Sequence, residues 1–286
     1  MGNKADIAVS YDVSNEFFRL WLDERMNYTS AVFDEGPHAG TESLELAQIN
    51  KLAVLYDYAH IQPDMRVLDI GCGWGANLQY LAVDRGVREV HGITLSEAQH
   101  HEIVRRRLPN VTAAVCDYRE YEPSVKFDAI SSICVLEHTA TPEQTRAGEH
   151  LNVHREYFRR AHEWTRPGAY FALQTIVRNT VPRNRRDIAD MAHVTYTMFP
   201  GGFPARIAEV MDSIGRYWEV MQLKTRRLDY QKTCDQWLAR LRSHEPDIRR
   251  QYGDQVFVDF ERYLSTCVTA FGMHYVSVIQ CSLRRT

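Results

Sequence analysis

The sequence predicts an α/β fold, one seven-stranded sheet with helices on both faces, and three observations predict it. Apolar runs alternate with helix-like segments from Arg66 to about Ile176. The first run, Val67-Leu68-Asp69-Ile70, ends in the glycine-rich turn Gly71-Cys72-Gly73-Trp74-Gly75. A helix-like segment, Ala76 to Val83, follows that turn directly. Such alternation argues for a parallel sheet covered by helices. Glycines suit the turn because a residue without Cβ lets the backbone fold tightly and approach a ligand closely.

In chain order, Asn15–Asp23 reads as a short amphipathic helix whose apolar face is Phe17, Phe18, Leu20, Trp21 and Leu22. Thr41–Tyr58 reads as a longer helix with Thr41 as its N-cap. Leu44 stands where a capping box would want Glu or Gln, but Glu42 and Glu45 still suit the helix dipole. Pro63 marks the turn into the first strand, Arg66–Ile70. Further strands are expected at Glu89–Thr94, Val111–Cys116, Phe127–Ile133 and Tyr170–Ile176, with helices at Ser96–Arg107 and Asn152–Thr165. From Val177 to about Tyr217 the rhythm breaks. Pro182, Pro200, Gly201, Gly202 and Pro204 interrupt helical patterns at Arg186–Tyr196 and Ala205–Ile214. A long excursion between sheet elements is usually functional, and this one reads as a lid over a pocket. Strands near Trp218–Arg226 and Tyr275–Ser282 finish the sheet, with helices Asp235–Arg242 and Phe257–Phe271 between them.

The whole of 1–286 is expected to be one domain, with an amino-terminal cap over 1–60 and the lid at about 177–217. Hydrophobic residues make up 44% and charged residues 25%, ordinary for a globular chain. No apolar run approaches the roughly 20 residues of a membrane span, and the amino terminus lacks a secretory pattern. Asp6 stands where a myristoylation context expects Ser or Thr. The six cysteines are scattered without a C-x-x-C pair, which argues against zinc and disulfides and for the cytoplasm. A net charge of -3 gives no reason to propose nucleic acid as a partner. No internal repeat or low-complexity segment is visible. The apolar amino-terminal helix offers a surface for self-association.

The order of these motifs resembles the S-adenosylmethionine (SAM) methyltransferases. After the glycine turn come Val90-His91-Gly92-Ile93-Thr94-Leu95-Ser96 and then Cys116-Asp117-Tyr118. A lone glycine-rich loop is weak evidence, but here it is not alone. Nearly the whole chain is similar to the family of cyclopropane fatty acid synthases and mycolic acid cyclopropane synthases. At the amino end the likeness rests on Tyr11-Asp12-Val13-Ser14-Asn15-Glu16-Phe17-Phe18 and Tyr28-Thr29-Ser30-Ala31-Val32-Phe33. It continues in Glu137-His138, Phe199-Pro200-Gly201-Gly202, Tyr230-Gln231-Lys232-Thr233 with Trp237, and Gly272 through Gln280. The resemblance implies a class I, Rossmann-like methyltransferase fold with a mixed sheet of seven strands. It also implies a SAM pocket, in which Gly71 and Gly73 meet the methionine part and Thr94 and Gln99 the ribose and adenosine, with Asp69 and Leu95 also binding the cofactor. Asp117 and Tyr118 would stand at the adenine, and Tyr28 and Thr29 would close over the cofactor. The bland alternatives are a packed aromatic for Tyr28 and a solvated helix residue for Gln99.

The family's reaction is electrophilic methylation of a carbon–carbon double bond. An alkene is a poor nucleophile, so alignment in a dry pocket must remove much of the barrier, on the order of 7–11 kcal/mol in favourable cases. Aromatic faces can then stabilise the carbocation without trapping it. Tyr11, Phe17, Tyr28, Tyr196, Phe199, Tyr230, Tyr263 and Phe271 are available, and Tyr28 and Tyr230 are expected to line the site. Tyr11, Ser30, Tyr196 and Phe199 are the expected substrate-pocket residues. In the cyclopropane synthases a bound bicarbonate takes the proton, and the matching motifs put its ligands at Ser30, Glu137, Gln174 and Tyr230. Two of these depart from the family pattern, which has cysteine at Ser30 and histidine at Gln174. A glutamine cannot relay a proton as imidazole can, which counts against bicarbonate here. Glu137 then becomes the direct general base or cation stabiliser, with His138 adjacent. A capping or salt-bridged carboxylate is the bland reading of Glu137, and a solvated loop histidine that of His138. Tyr230, Gln174 and His138 complete the catalytic set.

The polar stretch Thr139–His150 is longer than the family's loop and is expected at the pocket rim. Arg178, Arg183, Arg185 and Arg186 form either a solvated basic face or, if they point inward, an anion-binding set. Asp187 and Asp190 alone are not a metal site. The preferred reading is a SAM-dependent C-methyltransferase acting on an electron-rich carbon of a small metabolite such as a terpenoid alkene, indole or polyene. The alternatives are a cyclopropane or branched-lipid synthase working on an acyl chain, and a SAM-binding cyclase without methyl transfer.

Overall fold

The computed structural model describes residues 13–34 and 42–286. A seven-stranded sheet runs in the order β3-β2-β1-β4-β5-β7-β6. Its strands are β1 (Arg66–Ile70), β2 (Glu89–Thr94), β3 (Val111–Val115), β4 (Phe127–Ile133), β5 (Thr165–Arg178), β6 (Trp218–Thr225) and β7 (Val276–Arg285). The neighbours from β3 to β5 are parallel, whereas β7 is antiparallel to both β5 and β6. The parallel sheet argued from alternation is thus corrected at one strand, to the mixed sheet that the resemblance implied. Val276 to Leu283 are buried without a break, and an apolar run buried on both faces reads the same in either direction. β6 is the exposed edge.

Most predicted helices are present with shifted ends. The long helix before β1 is Leu44–Tyr58, capped by the Ser43 hydroxyl on the Leu46 N–H. Its expected start and cap at Thr41 lie outside the described residues. The segment after the glycine turn is a single α-turn, Ala76–Gln79, running into a π-helical turn at Tyr80–Asp84. Between β6 and β7 the helices are Arg227–Ser243, Glu245–Tyr252 and Asp254–Gly272. The middle one has only Ile248 buried, so it shows no apolar period to read.

The first helix is Asn15–Arg19, shorter than predicted. Phe17, Phe18 and Trp21 are wholly buried against the carboxyl-terminal helices, with Phe17 and Phe260 ring centres 4.6 Å apart and Trp21 and Trp237 5.9 Å apart. This overturns the expectation of a self-association surface there. The aromatic face is spent inside the same chain. Packing of this kind lays the amino-terminal cap across the carboxyl ends of the strands, beside the crevice where strand order reverses between β1 and β4.

Candidate active site

The crevice is a cavity of about 740 Å³ reaching from the glycine loop to the lid. Two loops build its floor. Gly71 has φ +74°, and a Cβ there would come within 2.2 Å of Val135 Cγ2 on the loop after β4. Only glycine allows the loops after β1 and β4 to meet so closely. Gly71 and Cys72 both donate backbone N–H bonds to the Ile93 carbonyl, which ties the turn to β2. A Cβ on Gly73 would face open space. Asp69 is buried and accepts a 2.9 Å bond from Ser131, which in turn accepts one from Asn77. Burial lifts its carboxyl to about 6 despite those bonds.

Thr94 and Gln99 are both buried and joined by a 2.7 Å hydrogen bond from the Thr94 hydroxyl, and both line the cavity with Leu95. Gln99 is therefore not a solvated helix residue. Tyr118 lines the wall, edge-on to Tyr157, and its buried hydroxyl has no hydrogen-bond partner. Asp117 does not line the cavity: its carboxylate is turned to Arg119, 2.5 Å away. Burial alone would raise that carboxyl, and the Arg119 contacts hold it below its ordinary value. Tyr28 and Thr29 line the cavity from the amino-terminal cap. Tyr28 packs among Phe18, Trp21, Trp237, Phe199 and Tyr263. Open space beside Gly73 and the unpartnered Tyr118 hydroxyl fit a cofactor with a methionine arm and an adenine ring.

Glu137 is buried in a short 3₁₀ turn after β4 and points into the cavity. Its two oxygens each accept one bond from β5, Oε2 from the Thr175 hydroxyl at 2.7 Å and Oε1 from the Ile176 N–H at 3.2 Å. It is neither a helix cap nor part of a salt bridge. His138 lines the cavity too, and burial lowers its pKa against the pull of Glu137. The Phe199-Pro200-Gly201-Gly202 loop sits directly on this pair. A Cβ on Gly202 would lie 2.9 Å from His138 Nδ1 and 3.2 Å from the Glu137 carbonyl oxygen, which accepts a 2.9 Å bond from the Phe203 N–H.

Ser30 and Gln174 stand behind the wall rather than on it. The Ser30 hydroxyl donates to the Ala31 carbonyl. Gln174 donates weakly to the Ser30 carbonyl and Cys134 Sγ, both at 3.5 Å, and its Oε1 accepts 2.8 Å from Gln280. Of the four expected bicarbonate ligands, Glu137 and Tyr230 line the cavity and Ser30 and Gln174 do not. Tyr230 stacks on Phe271 with ring centres 4.4 Å apart, and burial pushes its phenol well up. Phe271 and Tyr263, among the available aromatics but not expected to line the site, also line the cavity. Phe17 is core, and Tyr11 lies outside the described residues.

The segment expected to form a lid consists of helices Arg185–His193 and Ile207–Ile214 with the π-turn Val194–Met198 between. Val181, Ile188 and Tyr196 are exposed apolar residues on its cavity side, and Phe199 lies deeper, 5.8 Å from the His138 ring. Arg183, Arg185 and Arg186 are solvated, and Arg178 is held 3.0 Å from Glu209. Asp187 accepts from the Tyr275 hydroxyl and Asp190 pairs with Arg262. No group of metal-ligating side chains is assembled among the described residues. The stretch Thr139–His150 does not contribute to the cavity wall, contrary to the expected rim: it forms the helix Pro142–Arg146, closed by a Thr141–Gln144 capping box. None of the helices among the described residues is long and apolar enough to cross a membrane.

Sequence reasoning missed Lys51, Asn27 and Thr175. Lys51 is 1% exposed, and its amine donates to Asn27 Oδ1 at 2.9 Å and Thr29 Oγ1 at 3.0 Å. A lone lysine in an apolar helix face was the available signal, since lysine is rarely buried unless paired.

Comparison with known proteins agrees with this fold. Residues 2–281 match the family model described as mycolic acid cyclopropane synthetase. The cyclopropane mycolic acid synthase MmaA2 of Mycobacterium tuberculosis is 27% identical, over 98% of this chain and 96% of its own. Its solved structure superposes with a TM-score of 0.88 over 99% of this chain and 98% of that one. The structure of mycolic acid cyclopropane synthase CmaA1, complexed with SAH and CTAB, superposes at 0.87 with 25% identity over the same shares. The tuberculostearic acid methyltransferase UfaA1 of M. tuberculosis is 29% identical over 99% of this chain and 65% of its own.

Proposed function

The chain belongs to the mycolic acid cyclopropane synthetase family of SAM-dependent enzymes, and we propose that it transfers a one-carbon unit from SAM to a double bond in a long acyl chain. This exchanges the order of the two readings drawn from the sequence. The small-metabolite C-methyltransferase rested on the loss of histidine at position 174 and on a different pocket rim. Gln174 lies behind the wall, and the Thr139–His150 stretch is not at the rim, so neither argument keeps its weight. MmaA2 and CmaA1 are both named for mycolic acids.

One observation carries the reading. A single cavity joins the glycine loop to an apolar lid, and the buried carboxylate of Glu137 stands between them. Asp69, Gly71, Gly73, Thr94, Gln99, Tyr118, Tyr28 and Thr29 would hold the cofactor. Bound there, SAM supplies an electrophilic methyl group on a sulfonium sulfur. The Met191, Val194, Phe199 and Ile176 side chains exclude water and hold an extended hydrocarbon chain. Positive charge developing on the acyl carbon meets the faces of Tyr230, Phe271 and Tyr263, whose quadrupoles attract it while remaining poor nucleophiles. Glu137 then accepts the proton that the cation releases. Its oxygens are fixed by two donors from β5, which leaves a lone pair of the carboxylate for that proton. No part of this requires bicarbonate.

The test is turnover with methyl-deuterated SAM and a panel of unsaturated phospholipids, unsaturated acyl thioesters, prenyl diphosphates and indoles, read by mass spectrometry. Product in the acyl substrates supports the proposal. Loss of one transferred deuterium marks a ring methylene, and retention of all three marks methyl addition. Turnover confined to the prenyl or indole substrates would overturn it and restore the small-metabolite reading.

A further inference from the structure

Lys51 presents a buried charge that the proposed chemistry does not use. An ammonium has three protons to donate, and two are spent on Asn27 and Thr29, both neutral acceptors. The residue also lines the cavity, beside Thr29, which lines it too. No carboxylate among the described residues pairs with the amine directly. Asp23 is occupied by the Asn27 and Arg25 backbone N–H groups and the Asn27 amide, and Asp69 by Ser131. Burial lowers the amine to about 8, and Asp23, Cys134 and Asp69 oppose this only from a distance. A buried cation with a free donor and no direct counter-ion is costly to keep unless an anion arrives beside it.

We infer that Lys51 binds the carboxylate of the cofactor's methionine arm, as the direct counter-ion that the folded chain lacks. The inference rests on the SAM reading above and deepens it at one residue. The same amine anchors Thr29 and, through Asn27, the Asp23–Thr29 segment. Cofactor binding and closure of the amino-terminal cap are therefore drawn through one side chain. Lys51 here is a binding residue and takes no part in moving the methyl group.

The experiment compares two ligands by calorimetry on the full chain: S-adenosylhomocysteine, and its decarboxylated analogue, which keeps the amine and the adenosine. Lys51→Met is expected to weaken S-adenosylhomocysteine about 10- to 100-fold more than it weakens the analogue, the worth of a charge-assisted hydrogen bond. Equal losses on both ligands would overturn the inference and make Lys51 a strut for the cap. No loss on either would overturn it as well. If the variant does not fold, the wild type decides by pH. The ratio of the two affinities should fall between about pH 7 and about pH 9.5 as the amine loses its proton, and a constant ratio overturns the inference. If the wild type binds neither ligand, the SAM reading itself fails.

Discussion

The Thr175 hydroxyl donates a 2.7 Å hydrogen bond to Glu137 Oε2, from β5 to the turn that follows the neighbouring strand β4. Together with the Ile176 N–H on Oε1, it fixes the plane of a buried carboxylate that lines the cavity. A base must be aimed before it can be useful, and this bond does the aiming. Thr175→Val should lower kcat about 10- to 100-fold, the range for a hydrogen bond to a charged group. SAM affinity should not change, and Thr175→Ser should restore most of the rate. Steady-state kinetics alongside calorimetry checks all three, and a Val variant with wild-type kcat would remove Thr175 from the site.

Glu137→Gln keeps the shape and removes the proton acceptor. Turnover should fall by about 10²–10⁴-fold while cofactor binding persists. A fully active variant would sink the assignment of Glu137 as base.

Gly202 touches the same pair from the lid side. Its replacement by alanine drives a methyl against His138 and the Glu137 carbonyl. The expected cost is about 1–3 kcal/mol of overpacking, with activity reduced because the loop must lift off the base. Chemical unfolding and product formation, measured on one preparation, report both effects.

His154 gives the fold its own pH dependence. It is buried at 1% exposure with neither ring nitrogen hydrogen-bonded, beside His150 and Glu209. Burial first, and then the His150 charge, lower it from 6.5 to about 4. The folded chain therefore prefers the neutral ring, while the unfolded chain takes a proton near 6.5. Its contribution is fully present above 6.5, is lost as pH falls from there to about 4, and changes no further below. The whole interval corresponds to about 3 kcal/mol. Urea unfolding of the wild type should weaken faster between these limits than that of His154→Phe. Parallel curves would show that His154 is not the source.

What the sequence determined by itself lies in segments where the cause is local. The apolar runs, the glycine turn after Ile70 and the Phe199–Gly202 loop mark strands and close approaches wherever they occur, so the sheet and the turns that border the cavity were legible. The tertiary structure alone decided which polar groups meet. Thr175 reaches Glu137 because β4 and β5 pair in one register, and a slip of one residue would turn its hydroxyl to the opposite face. Gln174, its neighbour, points the other way and is absorbed by Gln280 across β7, whose direction no local pattern records. Lys51 meets Thr29 and Asn27 because the aromatic cap packs onto distant helices. Secondary structure answers to neighbours in the chain, whereas a buried charge answers to neighbours in space.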